Sequence, residues 1–184
     1  MPSTAWAAPI VTAQLDGPTL TSAAAASCLS PQAIVPIEAG YFAGVGKKLR
    51  ILAQGKISNA VTTPGTARFD VRFGATVVFD GLAVPLNLVA KANVAWWLEI
   101  ELTAQIVGAV AQLMGHARFS SEAVVGSPLP SVGGSGLIHL PYNTAPVLGA
   151  AFDSTVAQVV DLFFTQTVAT GSLTLQQYEL SSPN

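Results

Sequence analysis

The amino-acid sequence predicts an all-β protein, a jelly-roll-like antiparallel β-sandwich with an extended N-terminal arm. From residue 48 onward, apolar and polar residues alternate, which is the pattern of strands that bury one face. Glycine and proline separate these alternating runs, as they do in the turns of a sandwich or barrel. The 184 residues suffice for one such domain with its own core.

The longest alternating run lies between residues 94 and 107 and has two distinct faces. The apolar face contains Trp96, Leu98, Ile100, Leu102, Ala104 and Ile106. The polar face contains Trp97, Glu99, Glu101, Thr103 and Gln105. Similar runs predict strands near residues 49–54, 68–73, 77–79, 82–84, 113–125, 135–140, 156–168 and 173–180.

Local signals refine three of these strands. The apolar parity changes between Leu175 and Tyr178, which predicts a β-bulge at the two glutamines between them. Asp80-Gly81 predicts a two-residue hairpin turn that pairs the short strands on either side of it. The strand near residue 70 has charges on one face that predict a ladder with a neighbouring strand: Arg68, Asp70 and Arg72.

The composition changes near residue 40, so we expect residues 1–40 to form an arm and residues 41–184 to form the sandwich domain. Alanine favours a short helix over residues 21–29, ending before the next proline. The arm also carries four large apolar residues that a free tail would not need: Trp6, Ile10, Val11 and Leu15. We expect it to pack along a neighbouring subunit and add little to the sandwich. The alternative is a partly ordered tail.

The protein is unusually poor in charge. Eight Lys and Arg and ten Asp and Glu make up 10% of the chain, whereas about 25% is typical of soluble proteins. There is no basic excess to neutralise phosphates, so we expect no nucleic-acid partner. A surface with so few charges either aggregates or is covered by partners. The sequence therefore indicates a protein that assembles.

The long uncharged stretches, residues 17–37 and 123–152, do not predict membrane spans. Both contain several prolines, which interrupt a spanning helix, and we expect no membrane partner. No charged segment precedes the alanines at 23–26 in the manner of a signal peptide. Cys28 is the single cysteine, so an intrachain disulfide is excluded, which fits synthesis in a reducing compartment.

The sequence contains no catalytic pattern, and we expect neither enzyme activity nor a cofactor. His116 and His139 lack a second metal-type ligand at a useful spacing, so no zinc site is predicted. The glycine-rich segment 44–48 lacks the spacing of a phosphate loop, and we interpret it as a lead into the next strand. Residues 133–136 lack the spacing of a nucleophile elbow, and we interpret them as a loop.

Glu99, Glu101 and Trp97 share the polar face of the long strand. Two carboxylates at i and i+2 lie roughly 7 Å apart, within the range of glycosidases. However, an exposed pair lacks the burial that raises the pKa of a catalytic acid. Trp97 beside these acids can stack on a sugar, or it can pack against another subunit, as Trp does in many interfaces. We expect the subunit contact.

Ordered fragments of the chain resemble a family of tailed-bacteriophage structural β-sandwich proteins of the capsid decoration (cement) type. The fragments include Gly46-Lys47-Lys48-Leu49-Arg50-Ile51, Val61-Thr62-Thr63-Pro64-Gly65-Thr66, Asp70-Val71-Arg72-Phe73-Gly74, Trp96-Trp97-Leu98-Glu99, Phe152-Asp153-Ser154-Thr155-Val156 and Leu175-Gln176-Gln177-Tyr178-Glu179-Leu180. The resemblance spans roughly residues 41–181 and is weaker over the first forty.

The resemblance implies a structural virion protein that is made in the host bacterial cytoplasm and lies on the capsid exterior. Such a protein forms a homotrimer on the phage head and bridges subunits of the major capsid protein. The expected interface residues are Trp6, Ile10, Val11, Leu15 and Trp97. The alternative is a virion-attached binding module, a head fibre or tail component, that recognises host surface glycans.

Overall fold

A computed structural model describes residues 8–60, 63–124 and 137–183 and contains two antiparallel sheets. The strands are β1 Ala8–Thr12, β2 Ala26–Ser27, β3 Val35–Ile37, β4 Lys48–Asn59, β5 Thr66–Phe73, β6 Thr76–Asp80, β7 Val84–Pro85, β8 Lys91–Ile106, β9 Gln112–Ser121, β10 Leu137–Leu140, β11 Gln158–Gln166 and β12 Ser172–Ser182. A 3-10 turn covers Pro31–Ala33. The predicted all-β antiparallel sandwich is confirmed.

Sheet A has the strand order β1-β12-β4-β8-β9-β10, and sheet B has the order β2-β11-β5-β6. Two short strands extend sheet B: β3 pairs with β11 and β7 pairs with β5. The longest strand, β8, lies in the middle of sheet A between β4 and β9. Its outward face is therefore surrounded by side chains from both neighbouring strands.

The core lies between the sheets and is built from alternate residues of each long strand. In β8, Trp96, Leu98, Ile100, Leu102 and Ala104 are buried, which confirms the predicted apolar face, and Ile106 is exposed at the end of the strand. The ring of Phe69 in sheet B lies 5.3 Å from that of Trp96 and 5.0 Å from that of Phe119 in sheet A. Aromatic packing between the sheets thus adds to the burial of aliphatic side chains.

The short helix predicted over residues 21–29 is wrong, because this segment is extended and pairs with sheet B through β2. The helix propensity of alanine is small and is overridden by an open sheet edge that satisfies the backbone. Cys28 and Leu29 are buried in the core. The Cys28 thiol donates to the carbonyl oxygen of Leu162 at 3.0 Å, and burial raises the pKa of the thiol.

The described part of the predicted arm belongs to the sandwich, in contrast to the expected division at residue 40. β1 pairs with β12 in sheet A, while β2 and β3 pair with β11 in sheet B. Leu20 forms a bridge with Leu173, and Ala33 and Ile37 are buried. The segment is extended, as expected, but its backbone hydrogen bonds are made within this chain.

Two local predictions have opposite outcomes. The bulge near residues 176–177 is confirmed by a register shift between Leu175 and Gln177 where β12 pairs with β4. The predicted hairpin at Asp80-Gly81 is wrong, because β6 and β7 both pair with β5 rather than with each other.

The loop predicted at residues 133–136 lies outside the described residues. In the described part of the chain, no helix is long and apolar enough to cross a membrane.

Candidate functional site

The outer face of sheet A carries a polar surface at its centre. Alternation along β8, β9 and β10 directs their polar residues away from the core, and the strand register aligns them in rows. One row contains Glu99, Arg118 and His139, and the next contains Glu101 and His116. We call these five residues the sheet A platform.

The platform surrounds a shallow depression of about 260 Å³, which Ala117 and Leu140 also line. Sequence reasoning placed Glu99 and Glu101 on one face but treated the two histidines as isolated. The register of three strands brings both histidines to this depression. The signal in the sequence was the outward parity that His116 shares with Arg118 in β9.

Both carboxylates of the platform are already paired with cations of β4. Lys48 donates to Glu101 at 2.8 Å, and Arg50 donates to Glu99. The hydrogen bond from Lys48 lowers the pKa of Glu101. Arg118 has no ion-pair partner among residues 8–60, 63–124 and 137–183. The depression therefore combines two carboxylates that are paired with cations of β4 and a guanidinium that forms no ion pair with a described residue.

The pKa of one carboxyl group in the depression, Glu101, differs from that of a glycosidase acid. A glycosidase needs one carboxyl group with a raised pKa, whereas the pKa of Glu101 is lowered. Within the described ranges, no three His, Cys, Asp or Glu side chains lie close enough together to hold a metal ion. The polar side chains that line the depression can form hydrogen bonds and ion pairs with a ligand.

Four of the five predicted interface residues are described, and these four do not form one cluster. Trp97 lies on the outer face of sheet A, two residues before Glu99 and opposite Gln54 and Ser120, and it is half-buried. Ile10 and Leu15 are exposed at the β1 edge, whereas Val11 packs partly against the core. Three strand spacings, roughly 14 Å, separate β1 from β8. Trp6 lies outside the described residues.

A second surface, which sequence reasoning missed, lies at the end of the sandwich where β8 finishes. Three loops meet there: the Gly40 amide donates to the Ser154 carbonyl oxygen at 2.9 Å, and the Gly108 amide donates to the Ser154 hydroxyl at 2.9 Å. No charged residue occurs in segments 39–46 and 106–111. The exposed apolar side chains of this surface are Val45, Ile106, Val110 and Val156. We call these four residues and their loops the apolar end.

No protein-family model matches the chain, and no curated protein matches it either. Among solved structures, the chain has a remote likeness to the CBM2 module of the evolved Dit of Lactobacillus casei BL23 phage J-1. The TM-score is 0.33 at 9% sequence identity, and the match covers 81% of this chain and 67% of that chain. A likeness this remote carries no argument about function.

Proposed function

We propose that the protein is a structural component of a tailed-phage virion, a decoration protein that trimerises on the capsid exterior and bridges major capsid subunits. The observation that carries this proposal is the low charge of the surface. The chain has eighteen charged residues for 8900 Å² of accessible surface, and among the described residues ten of them form five ion pairs. Such a surface favours burial against partners.

The apolar end supplies a surface for contact between copies of the chain. Val45 and Val110 are 70% and 65% exposed on neighbouring loops, which is unusual for large apolar side chains that gain by burial. A shallow pocket of about 380 Å³ lies between the loop of residues 39–43 and the loop that follows β8, and a second one of about 480 Å³ is formed by residues 41–47. Side chains of a second copy can fill them. Closed symmetry lets three copies bury this surface together.

The resemblance to phage decoration proteins supports a position on the head. The β1 edge of sheet A, with Ile10 and Leu15 exposed, is available for contact with a capsid subunit, because the outer side of an edge strand has unpaired backbone groups. Trp97, on the outer face, is a further candidate contact. The partner in this proposal is the major capsid protein.

The test combines light scattering with a head-binding assay. We expect the mass of three subunits at micromolar concentration and saturable binding to undecorated heads. Val45→Asp and Val110→Asp should shift the protein toward monomers, because each places a charge in the contact. Leu88→Asp is the matched control, since Leu88 is also 70% exposed but lies at the opposite end of β8. A mass of one subunit at every concentration contradicts the proposal.

A second candidate function is recognition of host glycans by a virion-attached module. It is favoured by Trp97, an aromatic side chain next to a depression that contains hydrogen-bonding groups. The copy number per virion, measured by mass spectrometry, separates the two functions. Hundreds of copies indicate decoration, whereas a few dozen or fewer indicate a vertex or tail component.

A further inference from the structure

We propose that the depression in the sheet A platform binds the anionic group of a sugar, a carboxylate or a phosphate, through Arg118, His116 and His139. This inference rests on the second candidate function, glycan recognition, and names the class of sugar. It does not depend on the apolar end, which lies outside the depression.

The register of β9 brings the three donor side chains to one small area. Arg118 is directly opposite His139 of β10, and His116 precedes Arg118 by two residues on the same face. Neighbouring strands are about 4.8 Å apart, and residues i and i+2 are about 7 Å apart. All three side chains are exposed and line the depression. Its volume of about 260 Å³ suits one sugar unit that carries an anionic group.

The charges of the depression favour an anion. Glu99 and Glu101 are neutralised by Arg50 and Lys48, and in the described part of the chain Arg118 has no carboxylate partner. A guanidinium presents N–H donors in a planar fork that matches a carboxylate or phosphate. An anion bound here would form the ion pair that Arg118 does not form with any described residue.

The two carboxylates make a sugar a better ligand than a simple anion. The ion pairs that the structure gives them engage one oxygen of each, Oε1 of Glu99 and Oε1 of Glu101. Each Oε2 retains the capacity to accept a hydrogen bond from a sugar hydroxyl. Trp97, two residues before Glu99 on the same strand face, offers a surface on which a neighbouring sugar of the chain can stack.

The experiment titrates isotope-labelled protein with glucuronate, glucose 6-phosphate, glucose and inorganic phosphate and follows the NMR signals of Arg118, His116 and His139. We expect saturable shifts of these signals with glucuronate, glucose 6-phosphate or both. The comparison between these two ligands identifies the preferred anionic group. Glucose and inorganic phosphate should each bind at least about tenfold more weakly. Glucose lacks the anionic group, and inorganic phosphate lacks the sugar hydroxyls.

Arg118→Gln should weaken binding of the anionic sugar by about tenfold or more, because a hydrogen bond to a charged group is lost. Arg68→Gln is the matched control on the outer face of sheet B and should leave the affinity unchanged. If Arg118→Gln lowers the melting temperature, His139→Gln tests the same site at the exposed edge strand. Thermal melting of each variant separates lost binding from lost folding.

Three results would overturn the inference, and each has a different consequence for glycan recognition by this protein. Equal affinity for glucose and glucuronate removes the anion preference but leaves glycan recognition intact. Unchanged affinity in both Arg118→Gln and His139→Gln places the ligand elsewhere on the protein. Absence of binding by all four probes contradicts the anion site, while the copy number per virion still tests the second candidate function separately.

Discussion

Arg72 holds the carboxylate of Asp70, two residues earlier on the same strand, through two hydrogen bonds. Nε donates to Oδ1 at 2.6 Å, and the terminal guanidinium nitrogen donates to Oδ2 at 3.2 Å. The guanidinium carbon also lies 3.8 Å from the ring centroid of Phe163 on β11. The Asp70 side chain is 1% exposed. Among the described residues, Arg72 is therefore the arginine that pairs with this buried carboxylate, and its guanidinium packs on an aromatic ring.

Arg72→Met should destabilise the domain by about 3 kcal/mol, because it leaves the Asp70 carboxylate buried without a partner. Arg68→Met is the matched control, since the side chains of Arg68 and Asp80 are each more than one-third exposed. It should cost less than about 1 kcal/mol. Denaturant unfolding measures both values. Equal losses in the two variants would show that Asp70 does not depend on Arg72.

Gly115 on β9 lies against the ring of Phe79 on β6, so the sheets approach closely at this point. A Cβ at Gly115 would overlap the Phe79 ring and contact Leu102 at 3.1 Å. Gly115→Ala should destabilise the protein by about 1–3 kcal/mol through overpacking. Gly44→Ala serves as the control, because a Cβ at Gly44 meets nothing within 4 Å. A Gly115→Ala variant as stable as this control would contradict the close packing.

The buried face of β8 should dominate the stability of the sandwich. Leu98 is fully buried at the centre of the strand, whereas Thr103 is half-buried on the outer face. Leu98→Ala should cost roughly 2–5 kcal/mol, because it leaves a cavity between the sheets. Thr103→Ala should stay within about 0.5 kcal/mol of the wild type. Chemical denaturation distinguishes the two, and similar losses at both positions would be inconsistent with the alternating burial.

Tyr178→Phe should be neutral or stabilising, because the buried Tyr178 hydroxyl has no hydrogen-bond partner among the described residues. Leaving such a group unsatisfied costs about 1–3 kcal/mol, which the substitution removes. Burial also raises the pKa of Tyr178 above its ordinary value of 10. Only the unfolded chain then ionises near that pH, so the wild type loses stability as the pH rises above about 10.

The variant should lose less stability over this alkaline range, since it has no hydroxyl to ionise at position 178. Thermal melting of both proteins between neutral pH and pH 11 provides the measurement. A destabilised Tyr178→Phe variant at neutral pH would mean that the hydroxyl has a partner, such as a bound water, that the described residues do not supply.

The local pattern of the sequence was sufficient for the long strands from residue 48 onward and for the bulge in β12. It predicted a charge ladder between β5 and a neighbouring strand, which Arg68 forms with Asp80, whereas Arg72 pairs with Asp70 of its own strand. It was not sufficient for β2, where the propensity of alanine favoured a helix. It also misassigned the connection after Asp80, since a glycine turn alone does not specify which strands pair.

By itself, the sequence determined the fold class, the buried face of β8 and the scarcity of charge, because each of these follows from residue types and their period along the chain. Only the tertiary structure decided that His139 lies beside Arg118, that Val45 and Val110 share one end, and that residues near Cys28 complete the core. These relationships join segments that are distant in sequence. These long-range contacts depend on strand register and on the packing of two sheets, and neither can be predicted from a local sequence pattern.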